Sequence, residues 1–404
     1  MQRPFATLLV ASLALPGWSA NIDINQLSPT QVSATLVPDE ADIGSSTSIW
    51  VAATLGGTLY LRSANHAWAP SDGSLPVTLA NQPLGPVNSL VAVSGVDISG
   101  LNGLDLYLAY GQSIADATGS AGHLGKLLSV GSSGSTGLSA AVDITKLPMG
   151  DGKVSTSQAV RGQIYACTIM SGGGGAAKDG PWINSSSKTF DLSAKVSVAG
   201  KVKWTPSFST TISGSSRIIS SNGLPPHATG TYPVASSDPA FQYDSNPNSI
   251  KAQTLSKTLP ANPVVAASPS CLNGGAIGIL TTGAVVFNGL DAENRDAVAH
   301  EVQDRCQGHP ERNGSYHYHN VSACIKDKTT PSEHSPLVGY AYDGFGIYGR
   351  YGENGKLLSN ADLDECHGHS HEIDWDGKRV TMYHYHATWE YPYTLGCYRG
   401  TPVR

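Results

Sequence analysis

Apolar and polar residues alternate in short runs through the first third of the chain. Val32, Ala34 and Leu36 fit a first strand after a polar stretch, and Ile49 to Ala53, Thr58 to Arg62, Leu90 to Val93 and Leu104 to Tyr110 follow it. Alternation with a period of two sends successive side chains to opposite faces of a sheet, so Leu104, Leu106 and Leu108 are expected on one side. Gly-Gly, Pro-containing and Asn-Gly turns separate the runs, the pattern of an antiparallel sandwich. A mainly β fold is predicted, with a β-sandwich-like module over 21–155 and a β-rich domain over 158–404 that carries one short helix. The polar run GSSGSTG, 131–137, reads as a boundary or a long hairpin tip.

In the second part, Gln163 to Ile169, Phe190 to Val198, Val202 to Trp204 and Arg217 to Ile219 read as strands, and Leu272 to Asn288 as a central strand pair. The four glycines at 172–175 precede no Gly-Lys-Ser/Thr and no helical pattern, so a loop is expected rather than a phosphate cradle. Tyr243 to Asn248 lacks the Gly and terminal Glu of an EF-hand loop and reads as a turn held by Asp and Asn side chains. The period then changes. Asp291 to Arg305 is the expected helix, with acids in its first turn and Arg305 near its end. Ala297, His300, Glu301 and Asp304 would share one face of it, aimed at a bound ion or at solvent.

Composition narrows the function classes. In 404 residues there are 45 Gly and 24 Pro, only 14% of residues are charged, and the net charge is −6. No cluster of Lys or Arg offers the basic surface that phosphate neutralisation needs, so nucleic acid is not an expected partner. Residues 1–20 place one Arg before an apolar run that ends in small residues, which is how a secretory signal peptide is built. No later run approaches the roughly 18 apolar residues of a transmembrane segment. A secreted or periplasmic protein is therefore expected.

The candidate chemistry lies in the last hundred residues. Ten of the 13 His lie from His300 onward, and Tyr-His-Tyr-His occurs twice, at 316–319 and 383–386. Cys306-Gln307-Gly308-His309 precedes the first copy and Cys366-His367-Gly368-His369 the second, while Cys324 and Cys397 follow them. This is an internal repeat. Six cysteines in an oxidising compartment favour disulfide bonds over thiolate ligation, with many connectivities open. If each copy closes on itself, Cys306 pairs with Cys324 and Cys366 with Cys397, which leaves Cys167 for Cys271.

In a strand, His317 and His319 project to one face and their tyrosines to the other, and likewise His384 and His386. Two imidazoles about 7 Å apart at the backbone can converge on one ion. His309 and His369 each supply a third ligand, freed by the preceding Gly to turn back toward the strand. The fourth position is open or completed by a carboxylate. All-imidazole coordination favours copper or zinc. The alternative is a ladder of buried tyrosines with solvated histidines. Asp343 and Asp364 are expected to orient ligating rings, and Glu301, Asp343 and Glu390 are candidate catalytic bases.

The chain resembles the YHYH-domain family of secreted bacterial and viral proteins over roughly residues 160–400. The likeness runs from Asp179-Gly180-Pro181-Trp182 through Asn222-Gly223-Leu224-Pro225-Pro226-His227 and Gly308-His309-Pro310 to Gly396-Cys397-Tyr398-Arg399-Gly400. It implies His317, His319, His384 and His386 as hallmark residues and no particular activity. Three readings follow: an exported metal-binding protein, a metal-dependent extracellular hydrolase or oxidase, and a metal-independent adhesion or carbohydrate-binding protein. Their partners would be a metal ion, a small-molecule substrate and an extracellular glycan respectively.

Overall fold

A computed structural model describes residues 21–403 apart from 29, 39–41, 72–76, 86, 99–100, 102, 118–122, 130–142, 171, 322–323 and 326–333. The expected signal peptide and the run 131–137 lie outside the described residues. The chain divides into two compact units. One runs to Ile144 and includes His334 and Glu353–Leu357, and the other comprises Thr145–Asp327, Ser335–Gly352 and Leu358–Arg404. No helix among the described residues is long and apolar enough to cross a membrane.

The first unit contains two antiparallel sheets. Strands Asn21–Ser28, Gln31–Val37 and Asn88–Ser94 form one, and Ser46–Leu55 with Asp105–Gly111 is the centre of the other. Alternation builds the core between them. Val32, Ala34, Leu36 and Ala92 from the first sheet pack with Ile49, Val51, Ala53, Leu104, Leu106 and Leu108 from the second. The opposite residues, Trp50, Ala52, Tyr107 and Ala109, pack on the outer side with Ala117 and Leu124.

The second unit is organised on an eight-stranded sheet. Its spatial order is Gly308–Pro310, Tyr316–Tyr318, Val285–Phe287, Ala276–Leu280, Leu337–Ala341, Gly346–Tyr348, Lys378–His386 and Gly368–Trp375. Read from the centre outward, each half repeats one plan. An antiparallel hairpin is followed by a parallel pairing to a Tyr-His-Tyr-His strand, whose antiparallel neighbour at the edge carries Gly-His. The halves join where Ala276–Leu280 pairs with Leu337–Ala341. At the join a Cβ on Gly278 would sit 2.7 Å from the Tyr340 carbonyl oxygen, and one on Gly339 2.8 Å from that of Ile279. Glycine at both positions lets the two backbones meet. The repeat read from the motifs is thus a duplication of four strands.

Two expectations are corrected. The helix expected over Asp291 to Arg305 shrinks to Ala297–His300. Side chains compete for its backbone: Asp291 accepts N–H groups of Glu293 and Arg295, and Asn294 has a φ of 61°. Asp296 then caps the one turn that forms, accepting from Val298 and Ala299, and Glu301 leaves it in extended conformation. The face bearing His300, Glu301 and Asp304 is buried rather than solvated. The strands expected over Gln163 to Ile169 and Phe190 to Val198 reduce to Ile164–Tyr165 and Thr189–Phe190, and Val202 makes only an isolated bridge to Thr229. The turn at Tyr243 to Asn248 forms as read, with Asp244 accepting from Asn246 and Asn246 from Asn248.

Candidate metal centre

Three disulfide bonds tie the second unit: Cys167–Cys271, Cys306–Cys324 and Cys366–Cys397. Each motif copy closes on itself, and no free cysteine is left among the described residues. Although His227, Cys306 and Cys324 lie close together, their disulfide removes the thiolates a metal would need.

Each Cys-x-Gly-His turn wraps a carboxylate, buried in the first copy and partly buried in the second. Asp304 accepts the backbone N–H of Cys306 at 2.9 Å and of Gly308 at 3.3 Å, while Asp364 accepts those of Cys366 and Gly368 at 2.9 and 3.0 Å. The first tyrosine of each tetrapeptide donates to the same carboxylate, Tyr316 to Asp304 at 3.0 Å and Tyr383 to Asp364 at 2.9 Å. The left-handed residue of the turn is x, with φ of 59° at Gln307 and 74° at His367. Glycine is needed for another reason than the flexible turn expected. A Cβ on Gly308 would lie 2.3 Å from the Tyr316 ring, and one on Gly368 2.4 Å from the Tyr383 hydroxyl.

The tyrosine face is thereby sealed. Tyr318 pairs its hydroxyl with His227 Nε2 at 2.6 Å, and Tyr385 donates to Asp343 at 2.5 Å while accepting the Arg399 N–H at 2.7 Å. The histidines occupy the opposite face of the same strands, and backbone carbonyls fix their orientation. Nδ1 of His317 faces the Ser315 oxygen at 3.2 Å, and Nδ1 of His319 faces that of Asn288 at 2.5 Å. In the second copy, Nδ1 of His384 faces Met382 at 3.1 Å and Nδ1 of His386 faces Gly349 at 2.6 Å. A carbonyl can only accept, so each Nδ1 carries a proton, and in the neutral ring Nε2 presents a lone pair.

In the first set, His309, His317 and His319 offer nitrogens within 4.8 Å of one another, and all three rings are buried. Glu301, also buried, places Oε2 at 3.3 Å from His309 Nε2 and 3.2 Å from His319 Nε2. These contacts lack hydrogen-bond alignment, which leaves Glu301 Oε2 and both nitrogens buried without a hydrogen bond. Ligands at about 2.0–2.1 Å from a tetrahedral ion stand about 3.4 Å apart, close to these separations. Burial opposes charge on Glu301, but His309 and His319 outweigh it and hold the carboxyl well below its ordinary range. Burial pushes His317 well below the usual imidazole value, with His309 and His319 adding to the effect. A neutral imidazole is the ligating form.

In the second set, His371, His384 and His386 offer nitrogens within 4.8 Å of one another. His384 and His386 are fully buried, and their Nε2 atoms are 3.1 Å apart. Two lone pairs at that distance repel unless a proton or a metal ion lies between them. His369 packs against both, with ring centroids at 5.0 and 4.9 Å, and against His371 at 4.5 Å. His367 stands apart. It spends Nδ1 on the His386 carbonyl at 2.8 Å and Nε2 on Asn360 and Thr388, and burial lowers its pKa to about 4.

The carboxylates sort differently from the sequence expectation. Asp343 and Asp364 bond tyrosine hydroxyls and backbone N–H groups, so the rings are oriented by main-chain carbonyls instead. Glu390 caps the backbone of Asn360 at 2.7 Å. Glu301 alone of the candidate bases faces a histidine set. The carbonyls of Asn288 and Gly349 were not singled out by sequence, and His371, which counts in the sequence toward ligation beside His369, was not placed in the ligand set although it continues the alternation His369-Ser370-His371 on one strand face.

Searches of curated proteins and of solved structures return no match. The family model described as YHYH protein matches residues 256–357, a stretch holding the first histidine set and ending before the second tetrapeptide. The segment that carries His309, His317 and His319 is thus similar to the YHYH protein family.

Proposed function

We propose that this protein is exported and binds transition-metal ions, copper or zinc, through its two histidine sets. The ligands in the first are His309, His317 and His319 with Glu301, and in the second His369 or His371 with His384 and His386. The reading rests on one observation: Nδ1 of four tetrapeptide histidines is committed to backbone carbonyls, which turns their Nε2 lone pairs inward onto one another. A solvated histidine ladder would neither bury these rings nor need that orientation. The three disulfides suit an oxidising compartment.

A metal-dependent hydrolase or oxidase has less support, because Asp343 and Glu390 are bonded elsewhere and the first set is enclosed. The test is metal content and stability of the dialysed wild type against a His317→Ala, His319→Ala double variant. At least one equivalent of transition metal is expected in the wild type, with metal content and melting temperature falling together in the variant. Less than one equivalent in the wild type rules the reading out.

A further inference from the structure

Besides the eight-stranded sheet, the second unit contains a three-stranded antiparallel sheet in the order Phe208–Ser213, Ser216–Ser221, Leu255–Pro260. Its two edges differ. Leu255–Pro260 contains Lys257 and ends in a proline, both of which discourage a further strand from pairing. The eight-stranded sheet is protected in the same ways, by a short strand ending in Pro310 at one edge and by Glu372 and Asp374 at the other. Phe208–Ser213 reads Phe-Ser-Thr-Thr-Ile-Ser, with no charge, no proline and no bulge in its register, and every residue after Phe208 is exposed.

Which main-chain groups this edge offers follows from one bond. The N–H of Asn222 donates to the Ser207 oxygen at 3.0 Å, so Ser207 spends that oxygen on the neighbouring strand. Such positions alternate in an antiparallel ladder, and with an unbroken register Ser209, Thr211 and Ser213 also face Ser216–Ser221. The N–H and C=O groups of Phe208, Thr210 and Ile212 therefore point away from the sheet. Ile212 adds an apolar side chain that is 45% exposed.

Those three residues complement a second copy of themselves. With Thr210 on a twofold axis, an antiparallel neighbour sets Thr210 against Thr210 and Phe208 against Ile212 at both ends. Three pairs that each exchange two hydrogen bonds give about six in all. Aromatic against β-branched at the ends and Thr against Thr in the middle are favourable cross-strand pairs. A slip of one residue would oppose outward-pointing groups to ones already used and would match one copy's covered face to the other's open face. No like charges meet, because the strand carries none. We propose that the chain forms a twofold dimer by pairing Phe208–Ser213 with the same strand of a second copy. The contact consumes the edge and so stops at two chains. Six residues a side bury less than the roughly 1,200 Å² of a standard interface, so dimer and monomer should exchange at micromolar to millimolar concentration.

Sedimentation equilibrium of the full-length protein over that range tests this, with excess EDTA present so that metal cannot bridge two chains. The mass should rise toward twice that of the chain. Thr210→Pro removes an outward N–H that the neighbouring strand does not use, and should weaken the dimer by at least about tenfold. Thr210→Lys and Thr210→Asp should each be monomeric alone and dimerise when mixed, because the register sets position 210 against itself. Should Thr210→Pro fail to fold, the mixed pair decides. A wild type that stays monomeric, a mass that grows past two chains, a dimer indifferent to all three substitutions, or a Lys–Asp mixture that stays monomeric overturns the inference. The first of these would leave the edge to a strand from another protein.

Discussion

Replacing Gly308 with alanine drives a methyl group into the Tyr316 ring. The added Cβ would lie 2.3 Å from Tyr316 Cζ and 2.4 Å from its hydroxyl oxygen. Non-bonded carbons prefer about 3.5–4.0 Å, so the ring must retreat by more than about 1 Å. It has no room, because Tyr316 is fully buried and its hydroxyl is held by both oxygens of Asp304. Overpacking costs about 1–3 kcal/mol. Breaking a hydrogen bond to a buried carboxylate adds about 1.5–3 kcal/mol. The expected loss is therefore about 2.5–6 kcal/mol, which in a unit of this size lowers the melting temperature by at least about 5 °C. Gly274→Ala serves as control, since its Cβ would meet only the end of Met170, at 3.3 Å. Denaturant or calorimetric unfolding measures both. A Gly308→Ala loss below about 1 kcal/mol would refute the claim that this glycine exists to make room for tyrosine.

Other outcomes follow from the same geometry. His367→Asn should leave metal stoichiometry unchanged while lowering stability by about 1–3 kcal/mol, because His367 spends both ring nitrogens on internal partners; loss of an equivalent on metal analysis would make it a ligand. Replacing Cys366 and Cys397 together by serine opens a loop with a sequence separation of 31. That should cost about 4 kcal/mol in reversible unfolding. Arg217 is buried between Tyr340 and Trp375 and paired with Asp376 at 2.7 Å. Arg217→Ala should destabilise the second unit by about 2–5 kcal/mol in the same assay through the cavity left between the two rings, and a change under about 1 kcal/mol would contradict that packing.

The elements legible in the sequence were those whose side chains alternate strictly. Val32, Ala34 and Leu36 and the Leu104, Leu106, Leu108 series all face the core that their spacing implies. The helix over 291–305 misled because propensity and dipole rules ignore competition from Asp291 and Asp296, whose carboxylates take the N–H groups a longer helix would use. The duplication was visible only in part. Its outer strands keep the Cys, Gly, His and Tyr that the turn and the sheet faces require. The inner hairpins keep little beyond Gly278 and Gly339, where two backbones meet, and Gly283 and Gly344, which both have positive φ. Backbone carbonyls carry no letter of their own, so the partners that orient the imidazoles, at Asn288 and Gly349, could not be read at all. Glu301 was read on a helix face, but its approach to His309 depends on the chain leaving that helix one residue earlier, at His300.

The most direct measurement is an anomalous difference map from a crystal of the full-length protein grown with copper or zinc. A peak bonded to Nε2 of His317 and His319, together with His309 and the Glu301 carboxylate, is predicted, with a second at His384 and His386. A map with no anomalous density at either place, its imidazoles turned away from one another, would contradict metal binding by this protein.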